Sequence, residues 1–226
     1  GNQLGTGTGV RLRGVSSLAV DRNGVLYVAD QNGVAVRRVD TAGTVTDVAG
    51  QIYGGSERDG TGTGATFGYI GRLTLDAAGT TLYAATSNNG LRQVTSLGVS
   101  DGGVVTTIAS RNVFVPGPKG FAAVVEPTAV VEGTDGTVYI ADRNLGGVRK
   151  LQRDGTLVNV AGPTTQPQGP WPMRTDGPGD QATFSSRILG LAIDASNNVY
   201  VADTDGCAVR KITPARVVST LVGANG

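Results

Sequence analysis

Charged side chains at a fixed spacing are the first candidates for chemistry in this 226-residue chain. Asp30 precedes Arg37, Asp142 precedes Arg149, and Asp203 precedes Arg210, each by seven positions. Across a tight hairpin that interval brings both side chains to one face of adjacent strands, where carboxylate and guanidinium form a charge-assisted pair. One reading is a ring of charged ligand groups. The other is a structural ion pair repeated in each unit, and recurrence in three units favours it, because chemistry usually needs one asymmetric site. In a fourth unit Thr86 replaces the aspartate while Arg92 remains, which would leave Arg92 for another partner.

A second acidic set, Asp21, Asp76, Glu132 and Asp194, lies six or seven positions before a tyrosine. Carboxylates around a channel could bind calcium, the only cofactor the sequence suggests. The simpler reading is a turn cap that accepts hydrogen bonds from the amides of the next hairpin. No EF-hand spacing is present, and Asp176–Asp180 is a weak calcium-loop likeness. The chain has no histidine, which excludes Ser-His-Asp and Cys-His catalysis and every His-based metal site. The Gly-rich loops lack the Gly-Lys-Ser/Thr of a phosphate-binding loop. No catalytic constellation is recognisable. Cys207, the sole cysteine, reads as a small buried hydrophobe. The most site-like feature is Trp171, set between prolines with Arg174 at the end of the loop; Phe114, Lys119 and Phe121 form a second candidate loop.

The elements that must hold these residues are short strands. Glycine is the commonest residue at 36, aromatics are 5% and charged residues 16%, a profile of many strands and tight turns. Four segments repeat one theme: Val15–Asp30 (VSSLAVDRNGVLYVAD), Arg72–Thr86 (RLTLDAAGTTLYAAT), Thr128–Asp142 (TAVVEGTDGTVYIAD) and Leu189–Asp203 (LGLAIDASNNVYVAD). Their marker tyrosines, Tyr27, Tyr83, Tyr139 and Tyr200, are 56, 56 and 61 residues apart. Turn pairs join the first two strands at Asn23-Gly24, Ala78-Gly79, Asp135-Gly136 and Asn197-Asn198, and the second and third at Asn32-Gly33, Asn89-Gly90, Gly146-Gly147 and Asp205-Gly206. Fourth strands follow at Thr44–Ala49, Val104–Ala109, Thr156–Ala161 and Val217–Val222. A sheet of four short strands cannot bury both faces alone, so such sheets stack face to face around an axis.

The expected fold is therefore all-β: a β-propeller of four-stranded antiparallel blades, four in this chain, near 14–50, 70–110, 127–162 and 187–223 of one domain spanning 1–226. Asp59–Phe67 (DGTGTGATF) and Asp176–Phe184 (DGPGDQATF) are near copies that connect blades. The ends, 1–13 and 221–226, look like two halves of one more connection, so the chain holds close to a whole number of repeats. It opens on Gly rather than Met, as a processed form or a piece of something longer would.

The combined pattern resembles the NHL-repeat propellers in their bacterial and plant versions. It is carried by Leu189–Asp194 (LGLAID), Asn198–Asp203 (NVYVAD), Ala208–Ile212 (AVRKI), Val217–Gly223 (VVSTLVG) and the Asp-Gly-x-Gly connections. The likeness covers essentially the whole chain. It departs at Thr86, at the long turn 98–103, at the 111–126 connection and at the Pro-rich insertion 163–178. Family members usually close a ring of about six blades, so four blades imply a small ring, part of a larger one, or assembly with copies of the same chain.

Function is read from these features as non-enzymatic binding or scaffolding of protein or glycan, with an extracellular structural assembly as a subtype. A calcium-dependent hydrolase or lyase is the first alternative, since some propellers of this kind hold a metal in the central channel. The second is RNA binding, as in some animal NHL domains, for which a net charge of +1 gives little long-range attraction. No apolar run is long enough to span a membrane. Few lysines, no histidine and abundant Gly and Thr suggest an exported or cell-surface setting.

Overall fold

Valine-rich runs separated by Gly and Asn pairs dictate a chain of hairpins. The computed structural model describes residues 3–32, 34–51, 57–86, 90–98, 102–111, 116–118, 123–165 and 174–223. Every regular element among them is a strand or a single 3₁₀ turn, and they form four sheets. The first sheet, and the second up to Ile108, belong to one compact unit, Gly1–Ile108, and the last two sheets to a second, Ala109–Gly226.

In unit one, Val15–Val20, Leu26–Asp30, Ala35–Val39 and Thr44–Gly50 form the first antiparallel sheet, and Ile70–Leu75, Leu82–Thr86, Gly90–Thr95 and Val104–Arg111 the second. In unit two, Pro127–Glu132, Val138–Asp142, Gly147–Leu151 and Leu157–Ala161 form the third, and Ile188–Ile193, Val199–Asp203, Ala208–Ile212 and Val217–Val222 the fourth.

The Gly-rich connections add an edge to the sheet that follows them. Gly5–Thr6 pairs with the fourth strand of the first sheet, Gly60–Thr61 with that of the second, and Gly177–Pro178 with that of the fourth. Gly117 takes the same place on the third, exchanging hydrogen bonds of 3.0 and 2.7 Å with Leu157. Gly5–Thr6 thus already fills the edge position within its own sheet.

Within each unit the strands are apolar on both faces because each sheet packs on its neighbour. In unit one, Tyr27, Ala29 and Val36 of the first sheet meet Ile70, Leu73, Leu82 and Val94 of the second. In unit two, Tyr139, Ala141 and Val148 of the third sheet meet Ile188, Val199, Val201 and Ile212 of the fourth. Equivalent hydroxyls fasten both seams: Ser16 Oγ donates to Ile70 O at 2.7 Å, and Thr128 Oγ1 to Ile188 O at 2.6 Å.

The glycine at the end of the fourth strand in the first, third and fourth sheets is forced by close approach. Gly50, Gly162 and Gly223 have φ of +94°, +83° and +103°, and a Cβ there would sit 2.5, 2.4 and 2.3 Å from the carbonyl oxygens of Val34, Gly146 and Cys207. Those three residues are themselves left-handed, with φ of 51°, 55° and 47°. Cys207 is therefore an exposed turn residue, not a buried hydrophobe: the turn needs its left-handed backbone, which points the thiol outward. Gly43 also has positive φ, +77°, but a Cβ there meets nothing closer than 4.0 Å. Gly43→Ala should cost about 1 kcal/mol, from the left-handed backbone alone. Gly50→Ala should cost at least twice that in urea unfolding, because backbone must move as well.

Candidate functional site

The recurrent charged residues converge on one buried structure. Arg37, Arg92, Arg149 and Arg210, at matching positions on the third strands, are each at most 1% exposed. A buried guanidinium is stable only when its donors are met, so its partners show what each sheet is built around.

In the fourth sheet, Arg210 donates to Asp203 Oδ2 at 3.2 Å, Asp176 Oδ1 at 2.7 Å, and the carbonyls of Thr183 and Thr175 at 3.1 and 2.8 Å. Its guanidinium lies 5.0 Å from the Phe184 ring centre. Asp176 also accepts hydrogen bonds from Thr220 N and Oγ1, at 2.9 and 3.0 Å. Burial raises its carboxyl, but the bonds from Thr220 and Arg210 outweigh this and hold it below the usual range.

Arg92 is not available to an outside partner. It donates to Asp59 at 2.8 Å and to the Arg58 and Thr66 carbonyls at 3.0 and 3.3 Å, stacks 5.2 Å from Phe67, and shares Asp59 with Thr107. The connection aspartate stands in for the carboxylate lost at Thr86. The first sheet makes the reverse exchange. Leu4 holds the Asp59 position, and Arg37 pairs with Asp30 at 3.7 Å and with Asp47, which stands where Thr220 stands in the fourth sheet. In the third sheet, Arg149 meets Asp142 at 3.9 Å, Asn159, and the carbonyls of Ala161 and Pro163. Burial pushes the Arg149 guanidinium down to about 10, against the pull of Asp142. It remains a cation at neutral pH.

The strand aspartates also anchor the segment entering the first, third and fourth sheets. Asp30 accepts from Arg13 N and Gly14 N, both at 3.0 Å; Asp142 from Val125 N and Glu126 N at 3.0 and 2.9 Å; Asp203 from Ser185 N at 3.0 Å. Sequence spacing could not pair Asp59 and Asp176 with arginines 33 and 34 positions away. The available signal was the aspartate that opens both near copies of the connection, Asp59–Phe67 and Asp176–Phe184.

The second acidic set caps hairpins. Asp21 accepts from Asn23 N and Val25 N at 2.8 and 2.9 Å, Asp76 from Thr80 N and Thr81 N at 2.7 and 3.0 Å, and Asp194 from Ser196 N and Asn198 N, both at 2.9 Å. Glu132 does not belong with them. It pairs with Val138 as Val20 pairs with Leu26, so Gly133 holds the position of Asp21. A Cβ on Gly133 would lie 2.7 Å from Asn197 Oδ1 and 2.8 Å from Asp135 Oδ1. Those two oxygens do the capping instead, accepting from Thr134 N at 2.8 Å and Thr137 N at 3.1 Å. Among the described residues, no three of His, Cys, Asp and Glu cluster to hold a metal.

Trp171, Phe114, Lys119 and Phe121 lie outside the described residues. Arg174, half-buried, donates to the Gly206 carbonyl in the turn between the second and third strands of the fourth sheet.

A cleft opens along the seam in each unit. In unit two it is about 340 Å³, lined by Tyr139, Lys150, Gln152, Asn197, Thr213 and Arg216 among others. The Lys150 ammonium lies 5.5 Å from the Tyr139 ring centre, and Arg216 Nε donates to Val160 O at 3.0 Å across the seam. In unit one the counterpart is about 360 Å³, with Asp21, Asn23, Tyr27, Arg38, Thr80 and Ser96 on its walls. Each seam thus sets a tyrosine and a cation against hairpin hydroxyls and amides. Sequence reasoning missed these clefts, although Tyr27 with Arg38 and Tyr139 with Lys150 share one register.

Neither a protein-family model nor a curated protein matches this sequence. Solved structures do. An auxiliary nutrient binding protein from Bacteroides ovatus is 18% identical with a TM-score of 0.68, over 94% of this chain and 50% of that one. Virginiamycin B lyase from Staphylococcus aureus, solved with quinupristin, is 13% identical at 0.61, over 97% and 58%. A protein of unknown function from Bacteroides thetaiotaomicron is 20% identical at 0.54, over 100% and 62%. The fold is of the β-propeller class. The chain spans about half to three-fifths of these proteins' length, and identities this low show the fold alone.

Asp59→Ala strips Arg92 of its carboxylate and should cost about 2 kcal/mol, lowering the thermal midpoint by roughly 4–8 °C. Asp176→Ala should cost less, because Arg210 keeps Asp203. Asp194 is held at about 2, chiefly by the side chain and amide of Asn198. Its folded value lies below the unfolded value of about 4, so its stabilising contribution is complete above that pH and is lost as pH falls towards 2. A carbon-detected NMR titration should place the Asp194 midpoint near 2, and Asp194→Asn should flatten that part of the stability profile.

Proposed function

We propose that the chain is an NHL-type propeller with a non-catalytic binding role, taking a polar ligand of the oligosaccharide class in the seams between neighbouring sheets. The observation that carries this reading is the repeated seam lining, seen in unit two as Tyr139, Lys150, Gln152, Asn197 and Arg216. A polyhydroxylated ligand needs several donors and acceptors on a rigid frame plus an aromatic wall, and these residues offer both. The tyrosine, the cation and the asparagine each sit on a strand or at a hairpin tip, so little ordering entropy is lost on binding.

The recurrent charges are largely committed elsewhere. The third-strand arginines are buried, and Asp21, Asp76 and Asp194 bond hairpin amides. Similarity to virginiamycin B lyase is similarity of fold and brings no activity with it. An exported or cell-surface setting accords with the composition and with a nutrient binding protein among the similar structures.

A panel of neutral and acidic oligosaccharides screened by isothermal titration tests the reading. At least one should bind, and Lys150→Ala and Gln152→Ala should each weaken it by roughly tenfold, as the loss of one charged or polar contact predicts. No binding across the panel, or binding that both variants leave unchanged, would sink the proposal.

A further inference from the structure

Each seam joins two unlike sheet faces. The leading face carries Tyr, Ala and Val: Tyr27, Ala29 and Val36 in the first sheet, Tyr139, Ala141 and Val148 in the third, all at most 5% exposed. The trailing face is aliphatic: Ile70, Leu73 and Leu82 in the second sheet, Ile188, Val199 and Val201 in the fourth, buried against those leading faces. Unit one and unit two build this pairing independently from the same residue types.

The first sheet's trailing face and the fourth sheet's leading face carry exposed apolar residues. On the first sheet's trailing face, Val15, Leu18 and Val20 are 52%, 56% and 60% exposed, where their counterparts Ile70 and Leu73 are 0% and 5%. On the fourth sheet's leading face, Tyr200, Ala202 and Val209 repeat the Tyr-Ala-Val set in register, and Val209 is 40% exposed, where Val36 and Val148 are 0%. With Gly190, Leu191 and Ala192 they line an open, largely apolar hollow of about 280 Å³. Apolar groups presented together on an exposed face mark an interaction site.

We infer that these two faces dock on each other between copies of this chain, head to tail, repeating the joint made within each unit. The occupant is a second copy because this sequence already carries both halves of a joint it forms twice. A contact between unlike faces is heterologous, so it closes into a ring or propagates as a filament. The docking faces lie outside the seams proposed for ligand, so either proposal can fail while the other holds.

The test uses sedimentation equilibrium in a Cys207→Ser background, which removes disulfide dimers through the exposed thiol. The unmodified faces should give a mass that rises with concentration above the 22.9 kDa monomer. Leu18→Asp alone and Val209→Asp alone should each stay monomeric, with circular dichroism unchanged because both positions are exposed. Mixed in equal amounts they should form a dimer and nothing larger, since one partner keeps an intact fourth sheet and the other an intact first sheet. A chain that stays monomeric at all concentrations, either variant associating alone, or a mixture that forms no dimer would overturn the inference; the first result would mean that the faces are met within one chain or by something else.

Discussion

A buried arginine on each third strand is the constraint from which the rest of this structure follows. Taking a guanidinium out of water costs several kcal/mol unless its donors are bonded. The partners come from three directions, the end of the second strand, the fourth strand and the Gly-rich connection, in a different combination in each sheet. Recruitment of the connection matters most. Segments such as Asp59–Gly64 have almost no apolar side chains to bury and high conformational entropy to lose. Asp59 and Asp176 tie them to arginine, and Phe67 and Phe184 lie under the guanidiniums. The same arginine thus secures the sheet edge and the entry to the next first strand, and through them the spacing at which sheets stack.

The repeat, the strands and the hairpins were legible in the sequence because they rest on local physics. Alternating apolar residues and left-handed turn positions such as Gly24, Gly79, Gly136 and Asn197 act within a few residues of where they are read. The short-range ion pairs were legible for the same reason, since seven residues span one hairpin. The connection aspartates were not, because fold topology brings them to the arginine from more than thirty positions away. The slip at Glu132 has a related origin. Charge suggested that Glu132 matched Asp21, whereas strand register gives that position to Gly133, and register is set by pairing across the sheet. The seam clefts lay further beyond reach, because their walls come from two different sheets.

Differences between the repeats invite a functional reading, and the arginine partners show where that reading misleads. Thr86 for aspartate looks like a residue released for chemistry, yet Asp59 fills the gap. Leu4 for aspartate looks like a lost anchor, yet Asp47 replaces it. What is preserved is a buried cation held by nearby acceptors, not any particular carboxylate. Loss at one partner position is tolerated where another supplies the charge, and each sheet has reached its own solution. Variation inside this network is compensated variation, and it says little about ligand.

The informative differences are those that no buried group demands. At the third hairpin, Gly133 removes a carboxylate from the surface, and Asn197 of the neighbouring sheet reaches across to take over one amide. The acidic wall that Asp21 gives the seam of unit one has no counterpart at Gly133, and unit two instead presents Lys150 and Arg216 beside neutral amides. Both seams keep the tyrosine and the cation on strands whose register the arginine network fixes. The frame is therefore constant while the electrostatic character of the cleft changes from one unit to the other. Under the proposed binding role, such a scaffold would take related polar ligands with different charge preferences in each seam, because specificity is free to vary only where folding does not need the side chain.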